Sequence, residues 1–122
     1  MPRCVSIMIA GSPSVLAVQE MLMPTAKEGE VCIEVHFAGI NFADILMRLG
    51  LYQPRPKYPF TPGYELSGII HSVGPNVTEF KVGQRVVAAV LNGGQSSHVC
   101  VKVSRVIAIP EDMGLDLSLI HI

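Results

Sequence analysis

The chain has 122 residues, 49% of them hydrophobic, with nine basic and ten acidic side chains for a net charge of -1. That is enough apolar material for the core of one domain, and the near-neutral balance, without a basic run or interleaved aromatics, argues against nucleic acid as a partner. No apolar run reaches the roughly 18 residues of a membrane helix and the start lacks a signal peptide's features, so the chain reads as cytoplasmic with no transmembrane segment.

Short apolar runs bounded by glycine and proline recur along the whole chain and predict a mainly β domain, a barrel or a sandwich, with short helices. Val5 to Ile9 and Val15 to Gln19 form a hairpin around Gly11-Ser12-Pro13. Glu30 to Phe37 alternates polar with apolar residues and is the clearest strand. Asn41 to Leu49 has helical period instead: Phe42, Ile45, Leu46 and Leu49 make one apolar stripe, and Asn41 suits the N-cap with Asp44 three residues on.

Glu65 to Val73 is a strand with Gly68 inside it, the mark of a bulge or a close backbone approach, and Gly74-Pro75-Asn76 turns it. Arg85 to Val90, Val99 to Val103 and Val106 to Ile109 complete the strands. No fixed-period repeat or low-complexity tract interrupts them. Cys4, Cys32 and Cys100 have neither disulfide-frame nor zinc-ribbon spacing and read as buried small hydrophobes. His36, His71, His98 and His121 show no ligand spacing, and His98 reads as structural or solvated.

On the helix, Asn41, Asp44 and Arg48 share a polar stripe beside the apolar one. Two readings stand side by side. Capping by Asn41 and an Asp44/Arg48 pair at i,i+4 on an exposed helix would account for all three residues. Alternatively the stripe presents chemistry to a cleft.

The run Gly39, Asn41, Asp44, Arg48, Gly50 and Tyr52 resembles the G-[VIL]-N-x-x-D-x-x-x-R-x-G-x-Y motif of zinc-independent quinone oxidoreductases, in the medium-chain dehydrogenase/reductase superfamily. Pro62, Gly63, Glu65 and Gly68 resemble its P-G-x-E-x-x-G. Val73-Gly74 through Val77, Phe80, Gly83, Arg85 and Val86 resemble its later valine and glycine pattern. The resemblance runs from about residue 5 to about 115 and implies a GroES-like, partly open β-barrel, here incomplete.

It further implies an NADPH-dependent hydride transfer to a quinone, an enone or another activated alkene or carbonyl. Asn41, Tyr52 and Asp44 would be the catalytic group, Asn41 and Arg48 would face the cofactor, and Leu46, Tyr64 and Glu65 would line the acceptor pocket. Zinc-dependent relatives carry a ligand cysteine where Asn41 stands and a ligand histidine where Tyr64 stands, so no zinc is expected. Leu46, where many quinone oxidoreductases have tyrosine, looks more like the vesicle amine transport protein branch. Gln84 replaces the usual aspartate of a G-D-R-V turn, removing a turn hydrogen-bond acceptor or an ion pair.

The expected organisation is a GroES-like domain over residues 3–116, an atypical tail over 117–122 and no Rossmann domain, since no G-x-G-x-x-G occurs. The chain alone would be inactive, with an exposed sheet edge, and dimeric only if the nucleotide domain were present. A non-catalytic binding module on the same barrel and an enoyl-thioester reductase are the alternatives.

Overall fold

The computed structural model describes residues 1–53 and 56–120, so the end of the expected tail, His121 and Ile122, lies outside the described residues. The first hairpin pairs β1 (Arg3–Ile7) with β2 (Leu16–Glu20), Val5 opposite Val18, with a short 3-10 turn opened by Pro13 between them. Proline suits that place because its fixed φ and missing N–H cost nothing in a first helical turn.

A five-stranded antiparallel sheet follows, in the order β6-β3-β4-β5-β7. Its strands are β3 (Glu30–Ala38), β4 (Glu65–Val73), β5 (Arg85–Ala89), β6 (His98–Lys102) and β7 (Val106–Ala108). The sheet curls into an open half-barrel, with β6 and β7 at its margins. Every strand lies within a residue or two of its expected place, because period-2 alternation and glycine or proline punctuation act locally.

One face of the sheet buries Val31, Ile33, Leu66, Ile70, Val86 and Val101, each worth about 1.5–3 kcal/mol when removed from water. Two register shifts interrupt the β3/β4 ladder, between Cys32 and Ile33 and between Val35 and Phe37. Gly68 sits opposite Val35 where the backbones crowd: a Cβ there would collide with the Glu34 carbonyl oxygen. The close approach expected at this glycine is therefore real.

At the far end, Ser67 Oγ donates to the Leu115 carbonyl at 2.6 Å and Arg85 Nη2 donates to the Met113 carbonyl at 2.7 Å. These bonds seat a short helix, α2 (Leu115–Leu119), with Leu115 and Ser118 buried. Residues 117 to 119 are thus helical and packed on β3, β4 and β5.

The turn before β5 corrects one expectation. Gln84 Oε1 accepts the Lys81 N–H at 3.1 Å, so the amide supplies the acceptor that loss of an aspartate was expected to remove. Any side-chain carbonyl at that reach satisfies the same donor.

Helix α1 (Phe42–Leu49) corrects another. It starts after Asn41, the expected N-cap, and ends after Leu49, where Gly50 takes the left-handed conformation at φ 78. The face it buries is not the apolar stripe. Asp44 and Met47 are buried, whereas Phe42, Ile45 and Leu49 are 72%, 39% and 41% exposed. Nor do Asp44 and Arg48 pair with each other: both turn to backbone partners elsewhere. Met47 joins Ile7 and Phe60 in a second apolar cluster that also receives Tyr52, Tyr58 and Tyr64, and backbone hydrogen bonds between Ile7 and Phe60 lock the hairpin onto it.

Candidate functional site

The site assembles where the start of α1 meets the start of β4. Asp44 is 6% exposed, and a bare carboxylate so placed would be costly. Backbone donors offset that cost: Oδ2 accepts the Asn41 N–H at 2.9 Å and Oδ1 accepts the Gly63 N–H at 3.1 Å. The first bond is the reciprocal half of a capping box and places a negative charge at the positive end of the helix. The second pins the loop before β4.

Gly63 has φ +113, and a Cβ on it would lie 2.7 Å from the Gln95 backbone nitrogen. Only glycine fits, since the loop 61–63 bonds to Gly93, Gly94 and Gln95 main chain to main chain.

Asn41 and Glu65 meet across this junction. Asn41 Nδ2 donates to Glu65 Oε1 at 3.2 Å, both side chains being half-buried. Glu65 begins the central strand and holds the Asn41 amide in place. Tyr64 lies beside it, and Tyr52 packs against the same apolar cluster as Tyr64. Burial first, then Tyr52 and the nearby Asp44 carboxylate, push the Tyr64 phenol up to about 12. Tyr64 is thus a neutral hydroxyl at physiological pH.

Two expected site residues stand apart from this polar group. Arg48 Nη1 donates to the Gly11 carbonyl at 2.6 Å, and the Gly11 N–H donates back to the Arg48 carbonyl at 2.9 Å, tying α1 to the hairpin loop. Leu46 contributes half-buried apolar surface. The backbone partners Gly11, Gly63 and Gln95 could not have been named from spacing, because they come from loops far away in sequence. A cleft of about 470 Å³ between β1 and β3 lies off to one side, lined by Arg3, Val5, His36, Ile40 and Ser97 among others and by none of Asn41, Tyr52, Tyr64 or Glu65.

The donor set discriminates between candidate cofactors. A tight zinc site needs thiolate, imidazole or carboxylate, yet at the two positions in question stand an amide already donating to Glu65 and a phenol that stays protonated. Zinc does not fit there. A half-buried amide and two half-buried phenols do fit a carboxamide or a carbonyl oxygen.

Residues 27–112 match the alcohol dehydrogenase GroES-like domain. The chain belongs to that family. Its GroES-like domain is 41% identical over 93 residues to a synaptic vesicle membrane protein VAT-1 homolog of Danio rerio, covering 76% of this chain and 19% of that protein. It is 34% identical over 105 residues to a quinone oxidoreductase of Sus scrofa, covering 84% and 32%. Among solved structures, the human VAT-1 homolog-like protein superposes with TM-score 0.90 at 35% identity, over 94% of this chain and 38% of that one. A quinone oxidoreductase of Thermus thermophilus, solved also with NADPH, gives 0.77 at 34% identity, over 93% and 34%. The CurK enoyl reductase gives 0.86 at 32%, over 93% and 37%. The GroES-like domain described here thus spans about a fifth to two fifths of the length of these proteins.

Proposed function

We propose that this chain is the catalytic-domain portion of an NADPH-dependent, zinc-independent oxidoreductase that reduces a quinone or an activated alkene or carbonyl. The observation that carries this reading is the Asn41/Glu65 bond standing beside the Tyr52/Tyr64 phenol pair, over a buried Asp44. Bound NADPH would supply hydride. The chain's own part is to orient and to polarise. Asn41, fixed by Glu65, offers an amide to the nicotinamide carboxamide, and Tyr52, beside Tyr64, offers a hydroxyl to the acceptor oxygen. The proton follows from a hydroxyl or a water. Asp44 and Arg48 act by position: the first joins α1 to the Gly63 loop, the second joins it to Gly11.

None of these groups resembles a pyrophosphate cradle, so the nucleotide's phosphates would be held by a further domain of a longer parent protein, and the 122-residue chain would be inactive alone. The exposed stripe of Phe42, Ile45 and Leu49 gives such a domain an apolar surface to cover. Dimerisation would follow from that domain. We place the protein in the cytoplasm; among the described residues no helix is long and apolar enough to cross a membrane.

The test is NADPH oxidation by the longer gene product against a panel of quinones and enones, with the present chain assayed alongside. Turnover by the longer protein, lost in Asn41→Ala and reduced at least tenfold in Tyr52→Phe, is the expected result. A longer protein that binds NADPH but reduces no acceptor would overturn the reading in favour of a binding module, and turnover restricted to enoyl thioesters would move it to the enoyl reductase class.

A further inference from the structure

The sheet face turned away from the aliphatic core carries a second polar cluster. Strand alternation puts Val31 and Ile33 of β3, Val101 of β6 and Ile70 of β4 in the core. Glu34, His98 and His71 then fall on the opposite face of three adjacent strands. Glu34 pairs directly with His98. His71 arrives by a different device: Cys32 pairs with Ser72 but Ile33 pairs with Ile70, so His71 is the extra residue of a β-bulge, and bulges re-aim side chains. One ligand atom from each of Glu34, His71 and His98 lies within 4.8 Å of the others. The two imidazoles stand edge to face, ring centroids 5.0 Å apart.

We propose that Glu34, His71 and His98 form a surface site for a divalent transition cation of the zinc type, separate from the polar group around Asn41 and Tyr64. Two imidazoles and one carboxylate are a zinc-compatible donor set with an open position for water. Bonds of about 2.0–2.2 Å in tetrahedral geometry put ligand atoms roughly 3.4 Å apart, so the side chains need to draw in by little more than an ångström. They have the freedom to do so, since Glu34 is 49% exposed and His71 is also exposed.

Outer contacts already orient two of the three ligands. Ser97 Oγ lies 3.0 Å from His98 Nδ1, which leaves Nε2 as that ring's ligand atom, and His36 Nε2 lies 2.9 Å from Glu34 Oε1. Partners of this kind fix ring tautomer and carboxylate direction in metal centres. No histidine spacing in the sequence reveals the site, because the three ligands come from three strands and one of them depends on the bulge.

Cobalt(II) titration of the full, tag-free chain, followed by visible absorption and by displacement with zinc(II), tests the proposal. One equivalent of cobalt giving tetrahedral d–d bands that zinc removes is expected. Affinity should weaken at least tenfold in His71→Ala and in His98→Ala, and less in His36→Ala. Absence of the bands, unchanged affinity in the His71→Ala/His98→Ala double variant, or an intense thiolate charge-transfer band pointing to Cys32 and Cys100 would each overturn it. Should a variant fail to fold, imidazole NMR of the unaltered chain decides the matter: one equivalent of zinc must shift the His71 and His98 ring signals, and unmoved signals would refute the site.

Discussion

Asp44 and Gly63, 19 residues apart in sequence, are joined by a buried hydrogen bond of 3.1 Å from the glycine N–H to the carboxylate. With its other oxygen on the Asn41 N–H, Asp44 binds the start of α1 to the loop that leads into Tyr64 and Glu65. The site's geometry hangs on that one side chain. Its removal strands two N–H groups, one of them buried, so Asp44→Ala should destabilise the domain by about 3 kcal/mol. Asp44→Asn, which keeps one acceptor, should cost clearly less. Urea unfolding of the three proteins measures this, and equal stability of Asp44→Ala and the parent would rule out the linking role.

The inverted helix makes a paired prediction. Met47 is 3% exposed and Phe42 is 72% exposed. Met47→Ala should therefore cost about 2–5 kcal/mol, while Phe42→Ala in this chain should stay within about 0.5 kcal/mol. A conventional amphipathic helix packed by its apolar stripe would give the reverse order in the same denaturation experiment.

Alkaline pH provides a third test. Tyr64 is raised to about 12, chiefly by burial, from an ordinary value of 10. A group whose folded pKa is raised keeps its full stabilising contribution below the unfolded value and loses it as pH climbs through the folded one. Stability should accordingly fall between about pH 10 and about pH 12. Tyrosinate absorbance should show one phenol titrating last in the native protein, and Tyr64→Phe should abolish that late step. Cys100, also raised to about 12 by burial and then by Cys32, adds to the same alkaline loss from its ordinary 9 upward, so the Tyr64→Phe profile should be flatter but not flat.

Cysteine reactivity gives a fourth. Cys32 and Cys100 face each other directly across β3 and β6, and burial holds both thiols above the usual range. Thiolate is the nucleophile, so at mildly alkaline pH neither should react with iodoacetamide while the protein is folded. Mass spectrometry should find Cys4 labelled first, with the other two labelled only in denaturant. Rapid native labelling of Cys100 would contradict the described environment.

Much of this was legible in the residues themselves. Alternation marked β3, glycine and proline marked the turns around β4, and Asn41 with the helical period up to Leu49 marked α1, because each of these signals acts between near neighbours in the chain. The ordered motif from Gly39 to Tyr52 gave the family, and with it the expectation that Asn41, Tyr52, Tyr64 and Glu65 belong to one place. Tertiary structure alone decided the rest. Helical period tells that Phe42, Ile45 and Leu49 share a face but not whether anything covers it. A buried Asp44 becomes acceptable only through the Gly63 N–H, supplied from a distant loop. Likewise the pairing of Cys32 with Cys100 and the approach of His71 to Glu34 and His98 depend on strand register, which a single bulged residue shifts and no local pattern records.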